Sequence, residues 1–434
     1  MLLTKGKASL KKFIASKVDF DASTLPYNKD FVTWLGKQHA LGRRLVLCTA
    51  TDESIALKIA SHLSFFDEVV ASNGVVNLEG RYKAAALIEK YGEGRFDYAG
   101  NSKSDLQVWK HARFAVVVNG SPSLIEGARD VTEVEEIFQG YNSKISTWSK
   151  ALRIHQWLKN VLLFAPMLAA HQLSDGSSWI SLIWGFFAFS LCASAVYIAN
   201  DLMDLESDRR HPRKCNRPFA CGKLPIYKGV IAVPTLFVIS CGIGAYVGIT
   251  FLSWLLVYFL LTCIYSIKLK QLALIDCMAL AILYTFRILA GAAAVDIPMS
   301  FWLLAFSVFL FLSLAFIKRF SELQVHILQG NIKVHGRGYF TDDAPLIKIF
   351  GIASGFLSVL ILALYLNSPE VQLLYSQPEW IWGNVPVMLF WVSYLWLRAH
   401  RDEMHDDPLI FAVKDKVSLT AGILFAMFIL LGSL

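Results

Sequence analysis

A chain of 434 residues that is 55% hydrophobic and only 17% charged, with a formal net charge of +7, is too apolar for an ordinary soluble protein. Its length alone would suit two or three soluble domains, but the apolar residues are concentrated after residue 150. The basic balance fits a membrane protein with cationic cytoplasmic loops and anionic substrates, and calls for no nucleic-acid partner. The seven cysteines, at 48, 192, 215, 221, 241, 263 and 277, form no CxxC pair, so neither a zinc site nor a disulfide framework is expected. The opening MLLTKGKASLKKF is too short in its apolar part for a signal peptide.

In chain order, residues 1–18 read as a basic amphipathic helix, Phe31 to His39 as a helix and LVLCTA (45–50) as a short buried strand. Ser54 to Leu63 is a helix, Glu68 to Ala71 a strand and Lys83 to Tyr91 a helix. FDYAGN (96–101) is a strand, Asp105 to Ala112 a helix and FAVVVN (114–119) a strand. Strands and helices alternating at these lengths predict a parallel α/β sheet.

LVLCTA with Thr49, Lys83 ahead of its helix, and GNSKSD with Asp105 resemble the haloacid-dehalogenase-like phosphatase superfamily over residues 25–120. The resemblance implies that Thr49 and Lys83 occupy phosphoryl-binding positions and Asp105 a metal-binding one. Two departures stand out. The family's nucleophilic Asp lies in a DxD at the end of an apolar strand upstream of these motifs, whereas Asp19–Phe20–Asp21 follows a Lys-rich, helix-like segment. Asn101 stands where the family often has an acid. The expectation is a haloacid-dehalogenase-like domain over 1–125, truncated or inactive, then a linker over 126–150 and a transmembrane domain over 151–434. An inactive domain of this kind would serve assembly or regulation.

Nine spans are expected near 158–172, 179–199, 229–247, 249–266, 272–294, 300–317, 346–366, 381–397 and 418–434. Every second connection carries Lys and Arg (Arg209, Lys268, Lys318, Arg401 and their neighbours), and the connections between carry none. That alternation predicts a multi-pass membrane protein with its amino-terminal domain and its charged clusters cytoplasmic; the membrane expected is the cell inner membrane.

The densest cluster is NDLMDLESDRRHPRKCNRPFACG, Asn200 to Gly222. Asp201, Asp204 and Asp208, at i, i+3 and i+7, would share a helix face and repel one another unless a cation intervened. Oxygen ligands of this kind suit Mg²⁺ held by a few carboxylates and a substrate's phosphates. Arg209, Arg210, Arg213, Lys214 and Arg217 then face the rest of an anionic substrate. The plainer reading is a solvated charged loop. Between spans four and five lie Tyr265, Lys268, Lys270 and Asp276, and Arg287 follows on the same span as Asp276. Ionisable residues at that depth are functional candidates, although a carboxylate at a helix start is also stabilised by the dipole. RIHQWLKN offers Arg153, Gln156, Lys159 and Asn160, either a binding group or an interfacial belt. AFIKRFSEL offers Lys318, Arg319 and Glu322, while Asp406, Asp407 and Asp415 read as a polar loop.

NDLMDLESD followed by HP resembles the first motif, NDxxDxxxD, of the UbiA superfamily of intramembrane prenyltransferases. Gln156–Asn160, Asn200–Pro218, Tyr265–Asp276, Arg287–Gly291 and Lys318–Leu323 are similar to its decaprenyl-phosphate phosphoribosyltransferase branch. The resemblance covers 150–434 and implies a UbiA-like fold of nine transmembrane helices. It implies Mg²⁺-dependent transfer of a phosphoribosyl group from phosphoribosyl pyrophosphate to a polyprenyl phosphate, in a chain that could be a homo-oligomer. Asp201, Asp204 and Asp208 would hold Mg²⁺, with Asp276 as a further catalytic acid. Gln156, Lys159, Asn160, Asn200, Arg209, His211, Lys214, Arg217, Tyr265, Lys270, Arg287, Lys318 and Arg319 would bind the substrates. Two other functions stay open: an aromatic prenyltransferase using a polyprenyl pyrophosphate, and a transporter. Lys270, where aromatic prenyltransferases more often carry a second acid, favours a substrate with an extra phosphate.

Overall fold

The computed structural model describes residues 7–17, 20–140, 145–172, 174–211, 213–334, 336–404 and 407–434. Asp19 of the DFD triplet, Pro212 of the HP pair and Asp406 lie outside the described residues. By internal contacts the chain forms two units, Met1–Trp148 with Asp204–Ile226, and Ser149–Met203 with Tyr227–Leu434.

The first unit runs α1 (Lys7–Ala15), α2 (Lys29–Ala40), β1 (Val46–Asp52), α3 (Glu53–Leu63), β2 (Glu68–Ser72), α4 (Arg81–Tyr91), β3 (Tyr98–Gly100), α5 (Leu106–Trp109), β4 (Phe114–Val118), α6 (Pro122–Arg129) and β5 (Glu133–Phe138). All strand pairings are parallel, as the alternation predicts. They form two sheets rather than one, β1–β2 and β3–β4–β5. The second sheet packs on Leu87, Val108, Trp109 and Leu124, and the Trp109 indole N–H donates to the Tyr98 carbonyl at 2.8 Å. The expected linker from residue 126 needs correction. Its first half completes α6 and supplies β5, whose Val134 and Ile137 pack on the core while Glu133 and Glu136 are exposed. The glutamates mask a strand that is apolar on one side only. Asp21 caps a short 3₁₀ turn, Ala22–Thr24, by accepting the Ser23 N–H at 2.9 Å, so it does not end a strand.

The chain continues through α7 (Ile145–Ala151), a 3₁₀ helix over Ile154–Phe164, α8 (Ala165–Ala169) and α9 (Gly176–Met203). The first expected span is thus a 3₁₀ helix joined to a short α-helix that has Pro166 in its first turn. α10 (Leu205–Arg210) belongs to the first unit. There follow α11 (Ile226–Val247), α12 (Ile249–Ile267), α13 (Ile275–Ala294), α14 (Phe301–Leu328), α15 (Ala344–Leu366), α16 (Pro369–Leu374), α17 (Asn384–His400), α18 (Pro408–Lys414) and α19 (Lys416–Ser433). Among the described residues, eight helices are long and apolar enough to cross a membrane: α9, α11, α12, α13, α14, α15, α17 with the turn before it, and α19. The protein is an integral membrane protein with a multi-pass helical architecture.

α13 is the centre of the second unit. Cys277, Ala281 and Ile288 face Phe311 and Leu314 of α14, while Leu283 and Ala290 join Leu163, Met167, Phe189 and Tyr258. Helices packed inside a bilayer gain little from burying apolar area and rely on close approach, which favours small residues. Gly291 shows this directly, since a Cβ there would run into the backbone of Leu163. The 3₁₀ helix carrying Lys159 and Asn160 is thereby pressed against α13.

Candidate active site

The acidic motif does not form one helical face. α9 stops at Met203, α10 starts at Leu205, and Asp204 between them has φ −89° and ψ 11°. Asp is a poor helix former, and Asp204 and Asp208 would repel across one turn of a continuous helix. In the second unit, Asp201 on α9 is buried and accepts from Arg153 at 2.5 Å. Arg153 sits at φ 51° and lays its guanidinium over the Tyr197 ring. A positive φ in a non-glycine residue costs about 1–3 kcal/mol, so the ion pair is held by the surrounding structure rather than by local preference. Asn200 donates to Ser266 of α12 at 3.0 Å.

In the first unit, Asp208 is buried and paired with Arg217 through Oδ2 at 2.5 Å. Among the described residues its Oδ1 is buried with no hydrogen-bond partner, a costly state for a carboxylate oxygen that a cation would relieve. Arg209 donates to the Ala220 carbonyl at 3.3 Å. His211 Nδ1 accepts the Arg213 and Lys214 amides at 3.2 and 3.3 Å. Burial and the neighbouring Lys214 push the His211 imidazole below its ordinary value, in keeping with a neutral ring that accepts. Lys214 is exposed. Among the described residues no three His, Cys, Asp or Glu side chains converge as a ready-made metal cluster. Mg²⁺ suits such a setting because it takes few protein ligands and completes its shell with waters and substrate phosphates.

Deep in the second unit, the Arg287 guanidinium has three neutral partners: Asn160 Oδ1 at 2.8 Å, the Leu283 carbonyl at 2.5 Å and the Tyr258 hydroxyl at 2.9 Å. Asn160 in turn donates to Ser190 at 2.9 Å. Lys159 meets Asp407 at 2.6 Å, Lys318 lies 3.4 Å from the same oxygen, and the Tyr284 hydroxyl donates to that carboxylate at 3.2 Å. Burial alone would raise the Asp407 carboxyl, but the Lys159 and Lys318 ammonium groups hold it well below the usual carboxylate range.

Asp276 and Arg319 form an ion pair whose side chains are both fully buried. Arg319 also pairs with Glu322, while Arg337 lies 3.8 Å from Asp276 and donates to Tyr265 at 3.1 Å. Tyr339 donates to Asp276 at 2.5 Å. Asp276 is thus surrounded by protein partners and placed to orient Arg319 and Arg337. Gln156 and Lys270 are half-buried.

Structure therefore joins Lys159 with Lys318, Asn160 with Arg287, and Asp276 with Arg319. Asp407, Arg337, Tyr339, Tyr284 and Tyr258 were absent from the sequence-derived site. The signal that could have found Asp407 is local: an acid directly followed by Pro408, so placed that it caps a helix.

The UbiA prenyltransferase family profile matches residues 161–414. An uncharacterized protein of Sinorhizobium fredii is 37% identical over 424 residues, which cover 97% of this chain and 82% of that one. Nodulation protein NoeC of Azorhizobium caulinodans is 36% identical over 65% of this chain and 94% of its own. The decaprenyl-phosphate phosphoribosyltransferase of Mycolicibacterium smegmatis is 36% identical over 192 residues, 42% of this chain and 58% of that one. The structure of an Archaeoglobus fulgidus UbiA homologue bound to GPP and Mg²⁺ superimposes with a TM-score of 0.50 at 15% identity, covering 66% of this chain and 98% of that chain. At that identity the likeness speaks for the fold. The profile, the relatives and the fold agree: the chain belongs to the UbiA prenyltransferase family and is a transferase of that type.

Proposed function

We propose that the chain transfers a 5-phosphoribosyl group from phosphoribosyl pyrophosphate to a polyprenyl phosphate at the cytoplasmic face of the cell inner membrane. The observation that carries this reading is the meeting of Lys159 and Lys318 on one buried carboxylate, with Arg287 facing the same Tyr284 ring. Cations at that depth suit a lipid whose head is a phosphate rather than a neutral aromatic ring. The relatedness to decaprenyl-phosphate phosphoribosyltransferases supports the same choice.

The acidic motif, Asp201, Asp204 and Asp208 with Asn200, would hold Mg²⁺, which when bound neutralises the pyrophosphate of the donor. Arg209, Lys214 and Arg217 stabilise the pyrophosphate as it leaves with the electron pair of the ribose C1–oxygen bond. An oxygen of the lipid phosphate, already anionic, forms the new bond to C1 and needs no strong base. Lys159, Arg287 and Lys318 hold that phosphate, while Asp276 fixes Arg319 and Arg337 in place. An apolar cavity of about 270 Å³, lined by Phe306, Leu310, Met388, Trp391, Ala412 and Phe425, offers the isoprenoid chain a path.

On the same proposal residues 1–125 form a haloacid-dehalogenase-like domain that carries no phosphatase activity. Lys83 donates to Tyr98 at 2.7 Å and to Asp105 at 3.3 Å, so the phosphoryl-binding Lys of the resemblance is engaged by its own fold.

Purified protein with labelled polyprenyl phosphate, phosphoribosyl pyrophosphate and Mg²⁺ is expected to yield lipid-linked ribose 5-phosphate. Prenylation of an aromatic acid in its place would overturn the reading.

A further inference from the structure

We propose that Lys159, Lys318 and Tyr284 form a binding site for a phosphate-class anion, and that Asp407 is its built-in competitor. The site stands on its own geometry; only its natural occupant, a polyprenyl phosphate, rests on the transferase reading.

The donors around Asp407 are those a phosphate would use. Oδ2 accepts from Lys159 at 2.6 Å and lies 3.4 Å from Lys318. Both carboxylate oxygens accept from the Tyr284 hydroxyl, and Oδ1 also accepts the Leu409 amide at 3.3 Å. Two ammonium groups and a phenol converging on one side chain match a tetrahedral anion with several oxygens at least as well as a planar one with two.

Among the described residues the charges of this cluster do not balance. Two ammonium groups face one carboxylate, and the partners of Arg287, 5.5 Å from the centre of the same Tyr284 ring, are neutral among the described residues. Excess positive charge out of water is costly unless an anion joins it. Asp407 cancels one charge of the cluster, and a phosphate monoester brings up to two. The exposures indicate the side of approach: the Lys159 side chain is 9% exposed and Lys318 is 35% exposed.

The carrier of the carboxylate favours exchange over permanent locking. Asp407 precedes α18, and Ala412 on that helix lines the apolar cavity together with Phe306 and Leu310 of α14. Lys318 lies on α14 eight residues after Leu310, about 12 Å along the axis. One molecule with an apolar chain and a phosphate head would contact both helices, and its arrival would act on the element that holds Asp407. Competition from a carboxylate also selects among ligands, because only an anion stronger than Asp407 gains the site.

Inorganic phosphate is the probe, titrated by calorimetry into the full-length protein in detergent. Asp407→Asn is expected to bind it roughly tenfold tighter than the wild type, and Asp407→Glu to bind it as the wild type does. Adding Lys159→Gln to Asp407→Asn is expected to abolish the gain. Equal or weaker binding by Asp407→Asn overturns the proposal. The wild type supplies an independent measurement should that variant not fold. Carbodiimide-driven coupling of glycine ethyl ester to Asp407, quantified by peptide mass spectrometry, is expected to rise as phosphate is added. Labelling that phosphate leaves unchanged overturns the proposal. Phosphate competition without ribosyl transfer keeps this site and discards the proposed reaction; transfer without competition does the reverse.

Discussion

The backbone amide of Leu274 donates to the Tyr339 hydroxyl at 2.7 Å, and that hydroxyl donates onward to Asp276 at 2.5 Å. Leu274 has φ 66°, a conformation that a Cβ-bearing residue adopts only when held. The start of α13 and the carboxylate it delivers are thus fixed by one phenol from the loop after α14. Burial, with Asp276 beside it, pushes that phenol well above its ordinary value, so it remains a donor. Tyr339→Phe leaves both partners without it. A loss of about 1–3 kcal/mol is expected, read as a lower melting temperature in detergent together with reduced transferase activity. An unchanged melt would contradict the arrangement.

Arg319 and Asp276 share a site without solvent. Removing one partner leaves Arg319 with Glu322, or Asp276 with the more distant Arg337, and the loss is bounded by about 3–5 kcal/mol, the cost of a fully stranded buried charge. Arg319→Met and Asp276→Asn are each expected to unfold more easily than the wild type. The double variant is expected to recover part of that stability and none of the activity. Equal destabilisation in single and double variants, measured in the same melts, would mean the two residues act independently.

Gly291 lets α13 meet the backbone of Leu163. Gly291→Ala would push away the 3₁₀ helix that bears Lys159 and Asn160. A displacement near 1 Å at a reacting centre costs about 10²-fold in rate. The variant is therefore expected to lose transferase activity by that order while still inserting in membranes, which a fractionation assay checks.

The oxygen chemistry of Asp208 predicts a metal requirement. EDTA is expected to abolish transfer and Mg²⁺ to restore it, and Asp208→Asn to need far more Mg²⁺ for half-maximal rate. Arg217→Ala would leave Asp208 buried without its guanidinium, and a stability loss of about 3–5 kcal/mol is expected in the melt.

Asp105 provides a pH prediction for the first unit. Burial raises its carboxyl, but Lys83 and the Asn101 and Ser102 amides outweigh that and hold it below the ordinary aspartate value of 3.8. Its stabilisation is therefore complete above 3.8 and is lost as pH falls through the lower folded-state value. Hydrogen exchange in β3 and β4 is expected to accelerate only below that pH. In Asp105→Asn the acid-dependent step should vanish.

Much of this fold can be read from periodicity. Apolar runs place most of the long helices within a few residues, and the motif residues Lys159, Asn160, Arg287 and Lys318 do come together. What could not be read depends on partners remote in the chain or on local energetic conflict. Asp407 resembles any acid in a polar loop until Lys159 faces it. The turn at Asp204 arises because the charges that make the motif useful also oppose a continuous helix there. β5 (EVEEIF) escapes notice because three glutamates hide its apolar edge.

Lys159 and Asp407 are separated by 248 positions. A chain emerging from the ribosome inserts the 3₁₀ helix and then most of its spans before the carboxylate exists, so an ammonium group waits among apolar neighbours through nearly the whole of synthesis. The last short helix before α19 therefore completes this ion pair only when nearly the whole chain has been made. Chains cut short before residue 407 lack the carboxylate that pairs with Lys159 and are expected to be less stable and more readily degraded. Stop codons placed just before and just after this helix should separate degraded from retained protein.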